Sequence, residues 1–86
     1  MTLLFQIYDR VAGQVIGPIS AERSEGPAIR WFHQVLAEPK TSPGQAPADY
    51  DLLCLGQQSI EGRLDGLEMP QVVATGAAWL ASVNAK

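Results

Sequence analysis

The clearest hydrophobic pattern in the chain has the period of a helix and covers residues 24–37. At about 100° per residue, the apolar side chains fall on one side and the polar ones on the other. Ser24 is a good N-cap, and Pro27 is tolerated in a first turn. The pattern therefore predicts an amphipathic helix against which the rest of the chain packs, with an apolar side made of Ala28, Ile29, Trp31, Phe32, Val35 and Leu36.

Alternating apolar and polar residues predict a hairpin on each side of this helix. Before it, residues 3–8 and 14–19 form strands, and the Gly17-Pro18 break suits an edge strand because proline cannot donate to a sheet ladder. After it, residues 50–55 form a strand with a weak return strand over residues 63–67. Hairpins join antiparallel strands, so the sheet is expected to be antiparallel.

Gly56 is expected to end the third strand and Pro70 the fourth, after which residues 71–83 show a second amphipathic pattern. Gly76 lies in its apolar stripe, where a glycine lowers helix stability but permits the close approach of another element. The back of this predicted helix is small, consisting of Ala74, Ala77, Ala78 and Ala81. Such a back is either a solvent-facing surface or a flat surface on which a second chain packs.

These elements together predict a single α+β domain over residues 1–86, with a small antiparallel sheet of two hairpins and two helices in the order β-β-α-β-β-α. Residues 38–49, between the first helix and the third strand, contain three prolines. They are expected to form a long, mobile loop.

Charge is sparse in this chain, with six Lys and Arg against nine Asp and Glu and a formal net charge of −3. Nonspecific attraction to phosphate needs a basic surface, which this balance does not favour. Cys54 is the only cysteine, so no intrachain disulfide forms and a reducing compartment is expected. No stretch resembles a signal peptide or a span of about 20 apolar residues, so we expect a soluble cytoplasmic protein.

No residue pattern points to catalysis, metal binding or a cofactor. His33, the only histidine, lies on the polar side of the predicted helix without a second ligand at metal-binding spacing. The carboxylates are scattered and no glycine-rich phosphate loop is present. Cys54, in an apolar strand, is expected to pack and not to react. We therefore expect no enzyme activity.

Two groups of residues could form a binding surface. Basic residues around the predicted helix, with Trp31 as a base-stacking surface, would suit single-stranded nucleic acid, and this candidate consists of Arg10, Arg23, Arg30, Trp31 and Lys40. The same cations also fit ordinary surface charge, and Trp31 fits a core position. The second candidate is a homodimer interface, which would supplement the small core of so short a chain, at Ala74, Ala77, Ala78 and Ala81.

Four short motifs, in order, resemble the small non-structural protein of gokushovirus-type microviruses. Tyr8-Asp9 opens a hairpin as the family's YD does, and residues 38–43 are a version of D-P-x-[ST]-x-[FP]. The helix pattern G-x-A-I-R-x-F is matched by Gly26, Ala28, Ile29, Arg30 and Phe32. The strand pattern P-x-D-Y-x-L-x-x-L-G is matched by Pro47, Asp49, Tyr50, Leu52, Leu55 and Gly56. The resemblance covers residues 5–56 well.

The resemblance implies a phage protein made in the cytoplasm of the infected bacterium and not built into the virion. It implies an accessory role in viral single-stranded DNA synthesis, through DNA or through the replication machinery. The alternative is a protein interaction module that contacts the replication initiator or a capsid precursor and never touches DNA. Convergence of the four candidate cations on one face would favour the first, and their dispersal among carboxylates the second.

Overall fold

The computed structural model describes residues 1–85 as a four-stranded antiparallel sheet with its helices on one face. The strands are β1 (Thr2–Asp9), β2 (Gln14–Glu22), β3 (Tyr50–Gln58) and β4 (Leu64–Thr75), in the spatial order β2-β1-β3-β4. The helical elements are α1 (Glu25–Leu36), the single turn α2 (Ser42–Gln45), a 3-10 turn (Pro47–Asp49) and α3 (Gly76–Asn84). The predicted α+β class and the order β-β-α-β-β-α are confirmed, with α2 as an additional short helix.

The core lies between α1 and the two central strands. Alternation in β1 directs Phe5 and Ile7 to the helix side, and the register sets Ile7 opposite Leu52 of β3. Phe32 of α1 is fully buried against this surface, and so are Phe5 and Leu52. Burying one such side chain contributes about 1.5–3 kcal/mol. The rest of the buried cluster consists of Ala28, Leu36 and Tyr50.

Helix α1 follows its predicted bounds closely. Ser24 takes the extended N-cap conformation, but its side chain makes no capping hydrogen bond. Trp31 and Val35 on the predicted apolar side are half-buried at the margin of the core cluster. The periodicity therefore identified the buried side of the helix, which is what fixes its position on the sheet.

Strand β2 is an edge strand, as its proline predicted, but it continues past residue 19 to Glu22. Residues 17–19 oppose the single residue Gln6 of β1. The Gln6 side-chain amide donates a hydrogen bond to the Gly17 carbonyl oxygen at 2.8 Å. This bond bridges the irregular part of the ladder, so pairing resumes beyond Pro18.

The predicted ends of the third and fourth strands are wrong. Gly56 does not end β3, because it adopts a φ of +149° that keeps the strand running. A Cβ at Gly56 would lie 2.3 Å from the Asp65 carbonyl oxygen, so only glycine fits this close pairing. Pro70 does not end β4, because β4 is an edge strand and residues 67–70 bulge outward opposite the single residue Leu55.

The second helix begins later than predicted, because residues 71–75 belong to β4. Ala74 is therefore not on a helix: it pairs with Leu52 in the sheet. The hydroxyl oxygen of Thr75 accepts a hydrogen bond from the Ala78 backbone N–H at 3.1 Å and caps α3. The predicted close approach at Gly76 is confirmed, since a Cβ there would lie 1.7 Å from the Pro47 carbonyl oxygen.

Residues 38–49, where the sequence predicted a long loop, contain two short helical turns. The Thr41 hydroxyl oxygen accepts from the Gly44 backbone N–H at 2.9 Å and caps α2, while Pro43 is buried. The same hydroxyl donates to the Glu38 carbonyl oxygen at 2.8 Å. The second of the two turns packs against the start of α3.

Replacing Gly76 with alanine should destabilise the protein although alanine is the better helix former. The new Cβ must displace the Pro47 carbonyl, so we expect a loss of about 1–3 kcal/mol in urea unfolding. Gly26→Ala in α1 is the matched control, because nothing lies within 4 Å of a Cβ there. That variant should gain up to about 1 kcal/mol. Equal effects at the two positions would contradict the packing described here.

Candidate interaction surface

The five cations among residues 1–85 do not form a patch. A carboxylate lies within two residues along the chain of four of them, Arg10, Arg23, Lys40 and Arg63. Arg30, exposed on α1, has none so close. Nearly every cation therefore has a carboxylate close to it along the chain. Cations dispersed among carboxylates in this way do not favour binding to phosphate.

Arg10 is held by the protein itself. Its guanidinium Nε lies 3.6 Å from Oδ2 of Asp51, and its terminal N–H donates to the Ala48 carbonyl oxygen. Its backbone N–H also donates to the Asp49 carbonyl oxygen at 2.9 Å. The Asp51 side chain is only 11% exposed, so Arg10 compensates a nearly buried carboxylate. Arg10 is thus a structural cation that joins the first turn to the start of β3.

The remaining candidate cations are spread along the molecule. Arg23 follows β2 and Arg10 follows β1, so the eight residues of β1 separate them by about 26 Å. Arg23 and Lys40 flank α1, whose 12 residues span about 18 Å. Both separations exceed the Debye length of about 8 Å at physiological salt, so these charges act independently.

Trp31 borders an apolar groove and is not a free stacking surface. The groove measures about 320 Å³ and is lined by Ile7, Ile16, Pro18, Val35 and Pro43 as well. The half-buried indole packs against the core cluster, which matches the core alternative left open by the sequence. The structure therefore shows no contact between any two of the five residues predicted to bind nucleic acid.

The main exposed apolar surface is the segment 60–72, called here the outer segment. Every residue in it is exposed, because the helices pack nearer the middle of the sheet. Ile60 is 95% exposed, Met69 81% and Leu64 68%. The pattern of the sequence did not predict these residues as a site, although large apolar side chains near a weak strand and a proline were a usable signal. Groups of exposed apolar side chains are typical of contact surfaces.

A cleft of about 400 Å³ adjoins the outer segment. It lies between the first turn of α1 and the outward bulge of β4, and Leu3, Cys54 and Leu67 form its apolar part. The charged groups that line it are Glu25, Asp65 and Glu68, all carboxylates. Cleft and outer segment together make an apolar surface with negative charge around it.

The sheet face opposite the core has no helix over it, and it is called here the open face. Its two central rows run from Val15 through Tyr8 to Asp51, and from Gln6 through Leu53 to Val72. Val15 and Val72 at the margins are 42% and 50% exposed. The sequence showed apolar residues on both sides of β3, but it did not show which side the helices would leave uncovered.

Three of the four alanines predicted to form an interface lie on α3. Ala77, Ala78 and Ala81 are exposed there, whereas Ala74 is in β4 on the core face. Trp79 of the same helix packs against the core cluster. The helix therefore covers its own sheet and presents a short alanine stripe outward.

Residues 1–85 also have features relevant to metal sites, reactive side chains and membrane-spanning helices. They contain no group of three or more His, Cys, Asp or Glu side chains placed to hold a metal ion. His33 is half-buried, with its ring 6.2 Å from that of Phe32. Cys54 is a free, half-buried thiol beside the core. No helix in this part of the chain has the length and apolar character needed to cross a membrane.

The fold is that of a small α+β protein whose helices leave apolar surface uncovered. The family model described as Phage ORF5 protein matches residues 2–79, and the chain belongs to this family of phage proteins. The match takes in all four strands and the first turn of α3. No curated protein and no solved structure matches the chain.

Tyr50 is the titratable group whose environment is most perturbed. Burial of the ring raises the pKa of its hydroxyl, and the carboxylates of Asp9 and Asp49 raise it further. A folded-state pKa above the unfolded value near 10 means that the stabilisation is complete below about pH 10 and is lost as pH rises through the folded pKa.

The melting temperature should therefore fall above about pH 10, where the unfolded state releases the Tyr50 proton more readily. Tyr50→Phe should flatten this alkaline fall, because phenylalanine has no proton to release. Tyr8→Phe serves as the control at a half-exposed position. Differential scanning calorimetry measures both profiles. A Tyr50→Phe variant that keeps the alkaline fall of the wild type, as the Tyr8→Phe control should, would contradict this assignment to Tyr50.

Proposed function

We propose that this phage protein is an accessory in viral single-stranded DNA synthesis and that it acts by binding another protein. In this proposal it works in the cytoplasm of the infected bacterium, is not built into the virion, and is neither an enzyme nor dependent on a cofactor. Its family membership supports a phage role. The resemblance to microvirus non-structural proteins supports the step in replication, and the surface described above supports the mode of action.

The outer segment is the observation that carries the mode of action. Its apolar side chains, Ile60, Leu64 and Met69, cannot pair with phosphate, and its charge is that of three carboxylates against one cation. Proteins that handle DNA carry basic surfaces. An acidic, apolar segment complements such a surface, so the replication initiator or a capsid precursor is the fitting partner.

The partner should be bound through the outer segment. A double variant, Leu64→Ser with Met69→Ser, removes apolar area at positions that are already exposed and should leave the fold intact. We expect it to bind the purified replication initiator or capsid precursor of the same phage about tenfold more weakly by biolayer interferometry. Val11→Ser is the matched control, because Val11 is 78% exposed in a different turn.

The same variants connect binding to replication. In infected cells, the double variant should lower the amount of single-stranded genome relative to the double-stranded form, measured by hybridisation, while Val11→Ser should not. A double variant with wild-type binding and a wild-type DNA ratio would contradict the proposed surface. Weaker binding with an unchanged DNA ratio would contradict the proposed step.

Direct contact with DNA is tested by fluorescence anisotropy with a single-stranded oligonucleotide across a salt series. With at most four candidate cations, one of them already paired, the slope of log affinity on log salt should not exceed about 3 in magnitude. Binding should therefore be weak at physiological salt. Tight binding with a steeper slope, reduced by Arg30→Ala, would overturn the proposed mode in favour of DNA contact.

A further inference from the structure

The open face has almost no charge of its own. Among the described residues that the register places on it, Asp51 is the only charged one. Its carboxylate is paired with Arg10, so this face is neutral although the chain as a whole carries −3. A neutral face can meet an identical face without like-charge repulsion.

The two sheet edges do not offer a second way to associate. The ladder of β2 is interrupted at residues 17–19, which include Pro18, and that of β4 at residues 67–70, which include Pro70. Prolines and bulges on edge strands prevent another strand from continuing the sheet. A second copy is therefore directed to the face of the sheet and not to its edge.

The size of the open face suits a weak dimer. Four strands at about 4.8 Å spacing, with about eight residues each at about 3.3 Å, give a face of roughly 500 Å². Two such faces in contact remove roughly 1,000 Å² from water, which is the lower end for a specific interface. The exposed side chains that would meet are Val15 and Val72, with the half-buried Tyr8 and Gln6 between them, whereas Leu53 in the middle of the face is only 7% exposed.

We infer that two copies of this chain pack through their open faces about a two-fold axis. The register also assigns Leu64 and Val72 of the outer segment to the open face, so the two proposals share these side chains, and Val15→Lys, which leaves the outer segment intact, separates them. The inference changes the location of the predicted homodimer from α3 to the sheet. The reason is that Ala74 lies on the core face, which leaves α3 only a short exposed stripe.

Multi-angle light scattering of the full chain tests the inference. At high micromolar concentration we expect twice the chain mass of 9.3 kDa, falling towards the monomer mass on dilution. Val72→Lys and Val15→Lys each bring two cations, one from each copy, into a neutral interface. Each variant should weaken dimerisation at least about tenfold.

Two control variants show where on the molecule the dimer interface lies. Val11→Lys makes the same substitution at an exposed turn position away from the open face and should leave the dimer intact. Ala78→Glu places a charge on the exposed side of α3 and should also leave it intact. A dimer that dissociates with Ala78→Glu but not with Val72→Lys would overturn the inference in favour of the helix.

Backbone amide resonances of the wild type give a second measurement that needs no variant. On dilution, the amides of Gln6, Leu53 and Val72 should shift together, and those of Ala77 and Ala81 should not. A wild type of monomer mass at every concentration would overturn the inference. So would open-face resonances that shift only when a single-stranded oligonucleotide or another protein is added.

Discussion

The packing of α1 against the two central strands is the interaction on which the rest of this structure depends. Phe32 meets Phe5 and Leu52, and all three side chains are completely buried. This contact also fixes the register, because a slip of one residue would turn Phe5 and its neighbours to the opposite face. With the central strands fixed, β2 and β4 pair outside them and accept prolines that a central strand would exclude.

In this chain the helices cover only one face of the four-stranded sheet. On that face, Trp79 of α3 joins the cluster formed around α1. The outer segment and the open face are therefore consequences of the architecture. Exposed apolar area of this kind lowers the solubility of a monomeric protein, whereas in a protein that binds a partner it forms the interface.

The charges divide these surfaces into two kinds. The outer segment and its cleft carry carboxylates around apolar side chains, which suits a basic partner of different sequence. The open face is neutral because Arg10 compensates Asp51, which suits an identical copy. In the proposed function, these surfaces would let an acidic protein take part in DNA synthesis through basic partner proteins, without binding DNA itself.

The sequence by itself determined the elements whose signal is local. The helix period placed Phe32 and Leu36 inside, alternation placed Phe5 and Ile7 inside, and Pro18 indicated an edge strand, because each of these depends only on neighbouring residues.

Tertiary structure decided the rest. Pro70 remains in a strand only because β4 has no neighbour on its outer side, and Gly56 continues a strand because Asp65 approaches it across the sheet. Arg10 and Arg23 look like parts of one basic group along the chain, but a hairpin places them at opposite ends. Which apolar side of β3 is covered also depends on where the helices pack, and no local pattern contains that information.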